Sequence, residues 1–172
     1  MKRFLFLLSL ALFFTACKST SSIVTSKKTT SKEKSTRSEK RKTNQLADQL
    51  VDVATENLGV KYKYAGTTKD GFDCSGLIYT VYKSENIVLP RNSAQQSKVG
   101  VVLNQKKDQA QKGDLIFFKT NKSREINHVG IVIEVSNEEI KFIHSSTSRG
   151  VIISSTKEPY YKKTFVQINR GL

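Results

Sequence analysis

"DGFDCSGLIYTVYK", Asp70 to Lys83, changes character at its centre. Up to Asp73 it reads as loop, with Gly71 set among polar residues much as Gly66 is just before it. From Cys74 it reads as helix, because Leu77, Ile78, Val81 and Tyr82 fall on one side at helical spacing. Asp73 is the expected N-cap, with a carboxylate placed to accept from the free amides of the first turn. The cysteine at the helix start has three readings: a small core residue, half of a disulfide, or a nucleophile.

The flanking elements settle the fold class. Upstream, Leu46, Leu50, Val51, Val53, Ala54 and Leu58 give a second helix, with Gly59 as its stop. Downstream, "IVLPRNSAQQSKVG" breaks at Pro90 and leaves room for a short helix after Asn92 or Ser93. Strands dominate the rest: "DLIFFK" from Asp114, "HVGIVIEV" from His128 to Val135, "EIKFIHSS" from Glu139 to Ser146, "GVIISS" after Arg149, and "TFVQINR". Alternation and β-branched or aromatic residues support each of them. Helices first and strands after predict an α+β domain, its N-terminal helices packed on an antiparallel sheet.

Of the 172 residues, only 46–172 carry this pattern. Residues 1–16 have a positive start (Lys2, Arg3), a mainly apolar run from Phe4 to Phe14, and small Thr15 and Ala16 before Cys17. That is the pattern of a secretory signal, and it is too short for a membrane span. Its end resembles a bacterial lipobox. The resemblance implies cleavage before Cys17, a lipid on its sulfur and an acylated N-terminus. Residues 18–45 hold nine Lys or Arg, two Glu and thirteen Ser or Thr, with almost nothing apolar to bury. They are expected to form, with Cys17, a flexible basic tether over 17–45 that reaches from the membrane. The net charge is +14 for the chain but about +5 for 46–172, so the basic excess belongs mainly to the tether. Nucleic acid is not expected as a partner, since the chain is exported and no aromatic residue interleaves with the charges to stack on bases.

The chain has two cysteines, so lipidation of Cys17 leaves Cys74 without an intramolecular partner. An unpaired cysteine in an oxidising compartment needs a reason, although a buried inert thiol stays open. The chain also has two histidines, 16 residues apart on strands joined by the short turn Ser136-Asn137-Glu138. His128 begins one strand and His144 nears the end of the next, so an antiparallel hairpin brings both to one edge of one face. If the helix from Cys74 packs against that face, the thiol meets an imidazole. The helix N-terminus then favours thiolate, His128 serves as base, and His144 orients His128.

The segments "GVKYKYAGTTKDGFDCSGLI", "LPRNSAQQ", "KGDLIFF", "HVGIVI" and "FIHSS", in this order, resemble the NlpC/P60 family of cell-wall cysteine peptidases. The resemblance covers Leu46 to Arg170. It implies a papain-like α+β fold and hydrolysis of stem-peptide bonds in peptidoglycan, without metal or cofactor. Carried over, the nucleophile is Cys74, the base His128 and the third polar residue His144. Tyr62 would lie by the site and help the oxyanion, beside the backbone amide of Cys74. Asp73 and Ser75 flank the nucleophile as cap and substrate contact, and Arg91, Gln95 and Gln96 would fix the cleft wall. Gly130 would permit close packing behind His128.

Two positions depart from the family pattern. Ala65 replaces a usual glycine and Lys61 a frequent proline, which puts substrate preference in question. The expected protein is a monomeric lipoprotein, anchored through Cys17 to the outer membrane and facing the periplasm. It would cut either the D-Glu–diamino acid bond or the diamino acid–D-Ala cross-link. The rival functions are a non-catalytic wall-binding lipoprotein and a thiol acyltransferase or amidase on the same fold.

Overall fold

The computed structural model describes residues 27–104, 108–122 and 124–171, with side chains in the first helix from Arg37 onward. The signal segment over 1–16 and the lipid site at Cys17 lie outside these residues. The first helix, α1, runs Lys27–Thr55. It therefore begins well inside the segment expected to be a flexible tether, and that expectation is corrected from residue 27 on. Lys, Arg and Glu are good helix formers, and neither Gly nor Pro interrupts the chain between Lys18 and Leu58. Residues 37–45 are exposed, and burial begins with the stripe Ala47, Leu50, Val51 and Ala54. No helix among the described residues is long and apolar enough to cross a membrane.

A two-stranded ribbon follows, β1 (Thr67–Thr68) with β2 (Gly71–Phe72), leading into α2 (Cys74–Ser84) and the short α3 (Ser93–Gln96). The remaining elements are β3 (Val101–Val102), β4 (Leu115–Phe118), β5 (His128–Val135), β6 (Ile140–Ser146), β7 (Gly150–Ser155), α4 (Pro159–Thr164) and β8 (Phe165–Arg170). The main sheet has the order β3-β8-β4-β5-β6-β7, with every neighbouring pair antiparallel. The architecture is α+β, as expected. The ribbon, β3 and α4 are additions to the sequence reading; Pro159 at the first turn of α4 is the one local signal for that helix.

The sheet buries both faces. Leu77, Ile78, Val81 and Tyr82 of α2 and Leu50, Val51 and Ala54 of α1 pack with Leu115, Phe117, Val129, Ile131, Ile143 and Val151. On the other face Ile116, Phe118, Val132, Phe142 and Ile168 pack with Leu103 and with Tyr161 of α4.

A bulge decides which face the histidines share. Next to the turn, Val135 pairs with Ile140 and Glu134 with Lys141; beyond the irregularity, Val132 pairs with Phe142 and Ile131 with Ile143. Had the first register continued, His128 and His144 would point to opposite faces. The extra residue, Ile133, shifts the parity by one. Both histidines then lie on one face, with Gly130 across from His144. A Cβ on Gly130 would come within 2.8 Å of the Phe142 ring, so glycine is required there.

Candidate active site

Cys74 opens α2, and the loop before it is built to hold that position. The Asp73 carboxylate caps the helix, Oδ1 accepting from the Gly76 amide at 2.6 Å and from the Ser75 hydroxyl at 3.1 Å. Arg91 grips the same carboxylate with two nitrogens, Nη1 to Oδ1 at 3.0 Å and Nη2 to Oδ2 at 2.7 Å. Its Nη1 also reaches the Ser75 hydroxyl at 3.1 Å. Burial works to raise the Asp73 carboxyl, but the Arg91 and Gly76 hydrogen bonds outweigh it and leave it below its ordinary value. Gln96 ties α3 to this corner by donating to the carbonyls of Ser75 at 3.0 Å and Pro90 at 2.8 Å. Gln95 accepts from Asn92, the cap of α3, at 3.0 Å.

The structure thus brings Asp73, Ser75 and Arg91 together as one bracket under Cys74. The Ser75 hydroxyl, buried, is spent inside the bracket rather than offered to a ligand. Tyr62 is held near Cys74 by its bridge to Phe72. Burial raises its phenol, and the neighbouring Cys74 and Asp73 charges add to the shift. Tyr64, two residues on, is 87 % exposed. Between them and Gly66, Ala65 sits at φ 57°, the left-handed region where glycine is more at ease.

The thiol meets the sheet at the start of β5. Its Sγ lies 3.8 Å from the carbonyl oxygen of Asn127, and the amide of Val129 bonds to it from the other side of His128. Among the described residues, its side-chain hydrogen bond goes to this backbone rather than to the imidazole. Contrary to expectation, α2 does not pack on the face that carries the histidines. The His128 and His144 rings lie against Phe118 and Phe142, on the far side of the sheet from α2. Cys74 at the start of α2 and His128 at the start of β5 are brought together as the ends of their elements, through the backbone of Asn127 and Val129.

Burial pushes the Cys74 thiol up to about 11, with the Asp73 carboxylate adding to it and the amides of Val129, Ser75 and Cys74 opposing. Burial also lowers His128 to about 4. It lowers His144 to about 2, helped by His128 and Arg149. The resting pair is therefore thiol and neutral imidazole. The helix N-terminus does not overcome desolvation here.

The two imidazoles are joined, His128 Nε2 to His144 Nδ1 at 2.9 Å. That bond occupies Nε2 and leaves Nδ1 as the second ring nitrogen of His128. His144, fully buried, has two further neighbours that sequence reasoning did not single out: Ser154 Oγ at 3.1 Å and Tyr161 Oη at 3.0 Å from its Nε2. No cluster of three or more His, Cys, Asp or Glu placed to hold a metal ion occurs among the described residues.

The description of the NlpC/P60 family matches residues 59–170. A Haemophilus influenzae protein named "Probable endopeptidase NlpC homolog" is 41 % identical over 122 residues, 70 % of this chain and 61 % of its own. An Escherichia coli K12 protein named "Murein DD-endopeptidase MepS/Murein LD-carboxypeptidase" is 35 % identical over 128 residues, 74 % of this chain and 64 % of its own. In each case the match spans less than two thirds of the relative. The crystal structure of an NlpC/P60 family protein from Bacillus cereus is 38 % identical, with a TM-score of 0.65, over 73 % of this chain and 40 % of that one.

Proposed function

The chain belongs to the NlpC/P60 family, and from that membership and the site geometry we propose that it is a peptidoglycan endopeptidase using Cys74 as nucleophile. The observation that carries the reading is the array at the start of β5. The cysteine that opens α2 is bonded to the backbone on either side of His128, and His128 is coupled to His144 at 2.9 Å.

In the reaction, Sγ of Cys74 attacks the amide carbonyl of a stem peptide while its proton passes to Nδ1 of His128. His144 stabilises the imidazolium through Nδ1. The backbone amide of Cys74 and the hydroxyl of Tyr62 donate to the oxyanion. Collapse expels the amine, protonated by His128, and leaves a thioester on Cys74. Water, deprotonated by His128, then releases the acid. Asp73, Ser75 and Arg91 position the nucleophile without touching the substrate. The E. coli relative's name points to the diamino acid–D-Ala cross-link as the first bond to test, ahead of D-Glu–diamino acid.

The protein acts in the cell envelope. The lipobox-like end of 1–16 supports a diacylated and N-acylated Cys17 on the outer membrane, facing the periplasm, with α1 as a basic spacer to a monomeric catalytic domain. Metabolic labelling with a radioactive fatty acid tests the anchor: label is expected on the wild type and absent from Cys17→Ala. Digestion of purified peptidoglycan, with fragments read by mass spectrometry, tests the activity. Release of dimer-derived monomers by wild type and none by Cys74→Ala is expected. Wall binding without any fragment would favour a binding protein instead.

A further inference from the structure

The hydrogen-bond chain that starts at His128 continues past His144. Its Nε2 faces the hydroxyl of Ser154 on β7 at 3.1 Å and that of Tyr161 on α4 at 3.0 Å. Ser154 is 3 % exposed and Tyr161 4 %, so bulk water does not replace either partner. The Tyr161 hydroxyl also hydrogen-bonds the side chains of Ser154 and Arg149.

Neutral imidazole has one N–H and one lone pair, and two proton arrangements fit these distances. In the first, His128 Nε2–H donates to His144 Nδ1, and His144 Nε2–H donates to the hydroxyls. His128 Nδ1 then carries a lone pair and can accept the thiol proton. In the second, a hydroxyl donates to His144 Nε2, and His144 Nδ1–H donates to His128 Nε2. His128 Nδ1 is then protonated and cannot act as a base. Two oxygens at nearly equal distance from one nitrogen fit an N–H shared between acceptors, whereas one in-plane lone pair serves a single donor. The Arg149 cation also disfavours a second proton on His144, which keeps the reaction's positive charge on His128.

We propose that Tyr161 and Ser154 are positioning residues that share the Nε2–H of His144 and so present its Nδ1 lone pair to His128. The inference rests on the reading of Cys74 and His128 as nucleophile and base. The proton balance is closed: the thiol proton moves to His128 Nδ1 and later to the leaving amine. The Nε2–H of His128 stays in place, and neither His144 nor the hydroxyls gain or lose a proton.

Imidazole nitrogen shifts of the 15N-labelled protein without substrate, at neutral pH, read the tautomer independently of catalysis. His144 is expected protonated at Nε2 and bare at Nδ1. The variants Tyr161→Phe and Ser154→Ala, and above all the double variant, are expected to populate the other tautomer. They should lower kcat by about 10- to 100-fold with KM little changed. Ser154→Thr, which keeps the hydroxyl, should restore both in the single-variant background. The proposal is overturned if wild-type His144 carries its proton on Nδ1, or if the double variant keeps wild-type shifts and kcat. Should Cys74→Ala retain hydrolysis, the nucleophile assignment fails while the tautomer result still stands. Ser154→Ala, which removes one oxygen from a strand, serves if the Tyr161 variant unfolds.

Discussion

At Cys74, three backbone amides draw the sulfur toward thiolate while burial and the adjacent Asp73 carboxylate hold the proton on. Burial wins, so in the proposed reaction the thiol would lose its proton during attack rather than rest as an ion pair. Alkylation by iodoacetamide should therefore climb about tenfold per pH unit across the neutral and mildly alkaline range. A rate already flat at pH 6 would contradict this. Asp73→Asn keeps a capping oxygen but removes the charge, so its thiol should titrate lower. The lost bonds to Arg91 should destabilise the fold by about 1–2 kcal/mol in urea denaturation, since Arg91 is partly exposed. The cysteine at the helix start, the two histidines on neighbouring strands and the Asp73 cap were legible from residue type and spacing. Ser154, Tyr161 and Arg149 were not, because a strand serine, a helix tyrosine and a loop arginine carry no local mark of the imidazole they serve.

Among the elements, the β5–β6 hairpin shows what sequence parity conceals. The histidines share a face because of one bulge residue, Ile133, and nothing in "HVGIVIEV" marks it. Deleting Ile133 should put His128 and His144 on opposite faces. Hydrolysis is then expected to fall by more than about 10³-fold even in molecules that retain sheet circular dichroism, because base and orienting residue act as a unit. Retained activity would show that the register heals elsewhere. The five longer strands, β4 to β8, were legible to within a residue, since their residues fill two buried faces. The start of α1 was not, because a polar run of Lys, Glu, Ser and Thr resembles a solvated spacer by composition and a helix by propensity. Removing residues 1–45 should shift the thermal midpoint by less than about 3 °C, as burial starts at Ala47 and exposed positions contribute little. A larger drop would mean that the basic turns brace the domain.

For the whole molecule, the buried imidazoles tie stability to pH. His128 titrates near 4 when folded and at its ordinary 6.5 when unfolded. Above 6.5 both states are neutral. As pH falls from 6.5 to 4, only the unfolded chain takes up the proton, so stability falls through that window, by about 3 kcal/mol for this residue. His144 extends the loss to lower pH in the same direction, and Asp73 adds to it below the ordinary carboxylate range. Urea midpoints at pH 7.5 and 4.5 check the sign. The wild type should lose markedly more than His128→Gln, and equal losses would place the acid sensitivity elsewhere.

In the proposed reaction Cys74 forms a covalent bond to the acyl half of a stem peptide. The most direct measurement is the intact mass of the protein, acid-quenched within milliseconds of mixing with a cross-linked stem peptide, with the adduct mapped by fragmentation. An added mass equal to the acyl fragment, located on Cys74 and absent from Cys74→Ala, is the expected result. Turnover with no adduct, together with a Cys74→Ala variant that still cleaves, would rule out Cys74 as the nucleophile.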